Sequence, residues 1–218
     1  MSLKTDLIKL SEDFIHKIKL LDGVKEIKVK NYGWENFIYK TPKIRQLHVE
    51  RYFTENLWVL HITGFPQKNN QSPIFGFDVV CGGKDKKILS VFLDLTPSIK
   101  SFPFSGPVWK VEREVPDWAD MFSENFVAIR PEVDEYNDVY NFGLELFDYF
   151  LHEVNNQENE VVDEKVITDI INSQDYYCQQ QWKNKRTMGA LSSKIGKELA
   201  EEFMQTILFP KVETTDGR

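Results

Sequence analysis

The chain has 218 residues, 41% of them hydrophobic and 13% aromatic, and carries a formal net charge of −7. That length can bury one substantial core and argues for a single domain over residues 1–218. The negative balance, without any offsetting Lys/Arg run, argues against nucleic acid as a partner. The two cysteines, Cys81 and Cys178, lack metal-ligand spacing and exclude a disulfide framework. Neither a signal-peptide pattern nor an apolar run of membrane-spanning length is present, so a cytoplasmic monomer without a membrane partner is expected.

Residues 4–21 place Leu7, Ile8, Leu10, Phe14, Ile18 and Leu21 at helical spacing among charges, an amphipathic packing helix closed by Asp22-Gly23. Two or three strands follow over EIKVKNYGWENFIYKTPKIRQLHVER and open an antiparallel meander. Residues 57–65, 74–81 and 87–95 are rich in Val, Ile, Leu, Phe and Trp and are separated by QKNNQSP and GGKDK, which reads as three strands joined by two hairpins. PSIKSFPFSGPVWKV should be an irregular surface segment. PDWADMFSENFVAIRPE reads as a short helix running into a strand that ends at Arg130-Pro131. Val139, Phe142, Leu146, Phe150 and Val154 mark a long helix over 134–154, and NNQENEVVDE an acidic connection. From Val162 to Leu208 the pattern gives two more helices broken around NKRTMG, with Ile195, Leu199 and Phe203 as the buried stripe of the last. Helices before and after a block of some six strands predict an α+β fold, a three-layer α/β/α sandwich with a central antiparallel β-sheet flanked by helices.

The central strands carry the chemistry. Pairing about the QKNNQSP loop sets Thr63 opposite Gly76 and His61 opposite Asp78 on one sheet face, because side chains alternate with period two. A turn near Thr54–Asn56 would set Glu50 opposite Val59 and His48 opposite His61 on that same face. A lone polar residue on a strand usually means a wet face, but Glu50, His48, His61 and Asp78 form a group. Asp78 lies among Ile74, Phe75, Phe77, Val79 and Val80, where a carboxylate is desolvated and its pKa rises unless a partner holds the charge. An imidazole across the ladder could share a proton with it, so proton delivery is the chemistry to expect. Gly76 leaves room on this face for a flat ligand or another backbone. Nucleotide-binding glycine motifs, histidine metal pairs and nucleophile elbows do not occur.

Seven ordered blocks resemble a known family: Tyr39-x-Thr41-Pro42 with Arg45 and His48-Val49-Glu50; Leu60-His61 leading to Phe65-Pro66; Pro73-x-Phe75-Gly76-x-Asp78; Asp94-Leu95-x-Pro97; Arg113-Glu114-x-Pro116-x-Trp118; Phe122-Ser123-Glu124 with Ile129-Arg130-Pro131; and Tyr177-Cys178-Gln179-Gln180-Gln181-x-Lys183-Asn184. Together they are similar to the ferredoxin-dependent bilin reductases, in particular to the branch that makes phycocyanobilin. The resemblance implies an oxidoreductase that binds biliverdin IXα between the sheet and the C-terminal helices. It implies four single electrons from an external, reduced 2Fe–2S ferredoxin, and no bound cofactor or metal. It assigns Asp78 as the central proton donor, His61 as its hydrogen-bonded partner and Glu50 as the acid for the D-ring vinyl group. Arg113 and Arg186 are implied to hold the propionates, Asn184 to lie near the pigment and His48 to support it through hydrogen bonds. A surface pair of Arg113 with Glu112 or Glu114 is the plain alternative.

One position departs from the pattern. Many members carry an aspartate directly after that asparagine, and this chain has Lys185. The departure and the short chain resemble a compact subgroup of viral origin, which implies phycoerythrobilin ahead of phycocyanobilin. A bilin or haem carrier without turnover is the alternative class, disfavoured because a buried His–carboxylate cluster costs desolvation that a carrier does not need. Ferredoxins are acidic, so a local basic patch is expected, with Lys40, Lys43, Lys183, Lys185, Lys194 and Lys197 as candidates.

Overall fold

The computed structural model describes residues 2–83, 86–115 and 120–213. Helix α1 (Leu3–Lys19) starts at Ser2, whose hydroxyl accepts the Thr5 N–H, and buries Leu7, Leu10, Phe14 and Ile18 as their spacing requires. Seven strands follow, β1 (Lys25–Ile27), β2 (Glu35–Lys40), β3 (Ile44–Phe53), β4 (Leu57–Pro66), β5 (Ile74–Gly82), β6 (Lys87–Thr96) and β7 (Val127–Ile129). They form one sheet in sequential order, every neighbour antiparallel, which is the meander expected of strands joined by short loops. Helices α2 (Tyr136–Asn155), α3 (Glu164–Gln181), α4 (Lys185–Ile195) and α5 (Lys197–Phe203) complete the chain. No helix among the described residues is long and apolar enough to cross a membrane.

Strand alternation divides the core in two. Leu47, Val49, Leu60, Ile62, Phe75, Phe77, Val79, Val91 and Leu93 pack beneath α1 and α2. Phe65 and Ile74 on the opposite face pack with Tyr177, Cys178, Leu191, Ala200 and Phe203 of α3, α4 and α5. The sheet is therefore the middle of three layers, as expected. Contact with α2 is close enough that a Cβ on Gly64 would lie 2.8 Å from the Phe150 ring, so a larger residue there would have to move that buried ring.

Three expectations are corrected. The β3–β4 hairpin turns later than assumed: Phe53 pairs with Trp58, and Glu50 therefore faces His61 and His48 faces Thr63. Thr54 sets this longer turn, accepting the Leu57 N–H on its hydroxyl while its own N–H and hydroxyl donate to the Leu57 carbonyl. The slip is two residues, so every side chain keeps its face. The short helix expected before β7 is absent from the described residues 120–126, which are turns, and 116–119, with Pro116 and Trp118, lie outside the described residues. The break expected around NKRTMG falls at its start, between Gln181 and Lys185, where the Asn184 side chain accepts the N–H groups of Arg186 and Thr187 as the N-cap of α4. The chain breaks again at Gly196, whose φ of 82° suits glycine, so three helices stand where two were expected.

Candidate active site

Three adjacent strands place Glu50, His61 and Asp78 in one row on the face toward α4 and α5, Glu50 opposite His61 and His61 opposite Asp78. His61 Nδ1 lies 2.5 Å from Asp78 Oδ1. Burial opposes charge on His61, yet the Asp78 carboxylate, by its charge and its hydrogen bond, and then Glu50 outweigh it and raise the imidazole pKa. Burial also raises the Glu50 pKa, to about 7, even though His61 and an indole hydrogen bond from Trp34 favour the carboxylate. Trp34 Nε1 donates to Glu50 Oε1 at 2.6 Å. The row thus combines a cation-prone imidazole, a carboxylate holding it and a carboxylic acid poised near neutrality, the components of a proton-delivery surface.

His48 lies behind this row and does not line the cavity, so the structure gives it no direct contact with a ligand there. Its ring meets that of His61 edge-on at 5.9 Å, and its Nε2 is 2.9 Å from Asn36 Oδ1. An amide oxygen only accepts, so Nε2 carries the proton. Burial first, then the neighbouring His61 charge, lowers the His48 pKa well below the ordinary value and keeps it neutral.

The row opens into a cavity of about 1170 Å³. Phe92, Phe122 and Phe126 line one side, with Phe122 stacked on Phe126 at 4.0 Å and 7° and Phe126 parallel to Phe92 at 6.1 Å. Cations line another: Arg113, Arg130, Lys183, Lys185 and Arg186. Arg113 donates to the Leu89 carbonyl at 2.8 Å and does not serve as a surface partner of its flanking glutamates. Its N–H also bonds Ala128 O, and Arg130 N bonds Val111 O, which straps 111–113 along β7 and brings the two guanidinium groups together. Burial, then Arg130 and Arg186, lowers the Arg113 pKa. Lys185 and Arg186 sit in the first turn of α4, where the helix end is already positive, and that turn contains no acidic residue. Such a cluster is unfavourable empty and favourable around an anion with more than one carboxylate.

Of the residues expected at the site, Glu50, His61, Asp78, Arg113, Asn184 and Arg186 line this cavity together. Asn184 spends its side-chain oxygen on the α4 cap. Gly76 does not leave open space, since the Tyr177 hydroxyl lies 3.5 Å from where a glycine Cβ would be. Trp34, Arg130 and the Phe92/Phe122/Phe126 stack were missed as functional candidates. Only Phe122 and Arg130 carried a signal, inside the short blocks that contain them.

A family model described as ferredoxin-dependent bilin reductase matches residues 4–210. A phycocyanobilin:ferredoxin oxidoreductase of Prochlorococcus marinus is 29% identical over 206 residues, covering 88% of this chain and 83% of that protein. The enzyme of the same name from Synechococcus elongatus is 31% identical over 191 residues, covering 80% and 75%. Among solved structures, PcyX superposes with a TM-score of 0.66 at 24% identity, covering 95% of this chain and 99% of that one. Tomato phytochromobilin synthase in complex with biliverdin gives a TM-score of 0.70 at 14% identity, covering 95% and 83%. Both structures share the fold of this chain.

Proposed function

The chain belongs to the ferredoxin-dependent bilin reductase family, and on that premise we propose that it reduces biliverdin IXα to phycoerythrobilin. It is an oxidoreductase that draws electrons from ferredoxin. The observation that carries the substrate and the chemistry is the Glu50–His61–Asp78 row on the wall of a cavity of about 1170 Å³ that a cluster of cations also lines. Biliverdin is a flat, largely apolar tetrapyrrole with two propionates. The phenylalanine side of the cavity suits its rings, and Arg113 and Arg186, with Arg130 beside them, suit its carboxylates.

Two successive two-electron reductions take up four electrons from reduced ferredoxin and four protons. Each electron makes the bilin more basic, and a proton then moves to the carbon nearest a donor. Asp78 and His61 form the central donor pair. Asp78, with its side chain 34% exposed, and His61, at 8%, both line the cavity, and the more buried imidazole restores the proton to the carboxyl group. Glu50, neutral at pH values below about 7, supplies the proton for a vinyl group at the edge of the pigment. A donated proton leaves a carboxylate that solvent re-protonates between electron deliveries.

The regiochemistry rests on α4. Its cavity-lining residues are Lys185, Arg186, Thr187, Ala190 and Leu191, none of which is an acid. The helix therefore offers no proton; of the other acids at the cavity Glu112 and Glu114 are exposed, which favours the sheet donors Glu50 and Asp78 and phycoerythrobilin over phycocyanobilin. The deciding experiment is anaerobic turnover with reduced ferredoxin and chromatography of the products against authentic bilins. Lys185→Asp should shift the ratio of the two phycobilins or accumulate a two-electron intermediate. Unchanged products in that variant, with changed products in Glu50→Gln, would show that the sheet alone decides and remove the role given to position 185.

Ferredoxin docks electrostatically in this reading. Of the six candidate lysines, Lys43 is tied to Glu160 at 2.6 Å and Lys197 to Glu201 at 3.8 Å. Lys183 and Lys185 lie at the cavity beside Arg186, which favours the α3–α4 corner as the docking point and gives electrons a short path to the pigment.

A further inference from the structure

Glu50 is one end of a hydrogen-bond chain that starts at His48. The His48 Nε2–H donates to Asn36 Oδ1 at 2.9 Å, Asn36 Nδ2 donates to the Trp34 carbonyl at 3.3 Å, and Trp34 Nε1 donates to Glu50 Oε1 at 2.6 Å. Asn36 and Glu50 are also direct neighbours across β2 and β3. The indole has little freedom to turn away. Tyr52 and Phe203 each meet it edge-on at 5.1 Å, at 77° and 75°, and Tyr32 lies 5.8 Å off. An indole N–H can only donate, and the better acceptor of a protonated carboxyl group is its carbonyl oxygen.

We propose that Trp34 is a positioning residue for the acid at Glu50: its fixed N–H makes Oε1 the carbonyl oxygen and leaves Oε2 as the one atom that carries and delivers the proton. The proposal rests on Glu50 being a proton donor in the reaction above. His48 gains a purpose from it. Too buried to charge and away from the cavity, it holds the amide that holds the tryptophan.

Three titratable groups bear on Glu50: His61 from β4, Asp78 from β5 and Tyr52 on its own strand. On the helix side its partner Trp34 packs on Phe203, with the Lys30–Glu202 pair lying beyond Tyr32. His61 and the indole both favour the carboxylate, and burial and Asp78 oppose it. Removing the indole N–H takes away one of the two groups that favour ionisation, so Glu50 must hold its proton to higher pH.

Trp34→Phe keeps an aromatic ring in the Tyr52–Phe203 slot and removes only the donor. Anaerobic single turnovers with reduced ferredoxin, followed by product chromatography over pH 5.5–9 in roughly half-unit steps, give the midpoint of the alkaline limb. In the unmodified enzyme that midpoint should lie at about 7. In Trp34→Phe it should move up by about one pH unit, a charge-assisted hydrogen bond being worth about that much. The acid plateau should fall about two-fold as the proton divides between two oxygens. Glu50→Gln should abolish the limb.

A limb that Glu50→Gln abolishes but that stays in place in Trp34→Phe overturns the role of Trp34 and leaves Glu50 as the donor. A limb that survives Glu50→Gln overturns both assignments. A second measurement needs no tryptophan variant: the Trp34 indole N–H resonance of the unmodified enzyme should titrate with the same midpoint and become flat in Glu50→Gln. An indole signal unmoved by pH would contradict the proposal even if Trp34→Phe failed to fold.

Discussion

The two faces of one sheet have opposite jobs, and the same strands serve both. Toward α1 and α2, β5 presents Phe75, Phe77 and Val79, all fully buried against Phe14, Phe147 and Phe150. Toward α4 and α5 the residues between and beside them are Gly76, Asp78 and Val80, and the neighbouring strands add His61 and Glu50. The dry face gains its stability from area removed from water and from ring packing. The wet face places ionisable groups where burial penalises their charge, which a fold tolerates only if the rest of the core is sound. Period-two alternation lets a single strand do both, so stability and chemistry should separate when each face is altered in turn.

The largest loss of stability should come from the dry face. Phe147 is fully buried, with ring centroids of Phe14 and Phe75 each 5.1 Å away. Phe147→Ala should cost about 3–5 kcal/mol in denaturant unfolding, while the pH dependence of turnover by the folded fraction stays in place. A shifted pH profile at intact stability would show that the faces are not independent.

The wet face should show itself in the pH dependence of stability. Glu50 has a pKa raised from 4.5 to about 7 in the folded chain, so between those values the native state holds a proton that the unfolded chain has lost. Stability should therefore fall as pH rises from 4.5 to 7, by up to about 3 kcal/mol from this one group. Glu50→Gln should remove that slope, whereas Phe147→Ala should leave it. An unchanged slope in Glu50→Gln would mean that the buried carboxyl titrates normally.

The smallest of these effects is at the cavity rim. Arg113→Gln should raise the Kd for biliverdin about ten-fold through the loss of a charge-assisted contact and leave the unfolding free energy nearly unchanged. Raising ionic strength should slow ferredoxin-dependent turnover without changing product identity. An Arg113→Gln variant that binds biliverdin as well as the unmodified chain would transfer the propionates to other cations of the cluster.

Much of this division is legible in the sequence because it depends on alternation alone. His61 and Asp78 could be paired by folding the chain about QKNNQSP. Glu50 and His48 reached the correct face even with the wrong partner, since a slip of two residues preserves facing. The exact turn was not legible, because it hangs on the Thr54 side chain closing on Leu57. Arg130 stood in a recognised block without a role. Its place beside Arg113 is set by backbone bonds between segments some seventeen residues apart that contain no hairpin signal. Trp34 was hidden for a different reason: an aromatic in an aromatic-rich chain reads as core, and only the 2.6 Å contact to Glu50 distinguishes it. The break at the start of NKRTMG is legible, its asparagine being the residue type that caps a helix, whereas the second break at Gly196 lies inside a continuous helical pattern.

The central claim is that protons reach the pigment from the sheet, with Asp78 as the first donor. The direct test is a single anaerobic turnover of Asp78→Asn with bound biliverdin and reduced ferredoxin, followed by visible and electron paramagnetic resonance spectroscopy and then by product chromatography. The amide keeps the shape and loses the acid, so biliverdin should bind with little change in affinity. One electron should enter, a bilin radical should persist, and phycobilin should form at least about a hundred-fold more slowly. Full conversion to the usual product at the usual rate, with no lasting radical, would contradict the account.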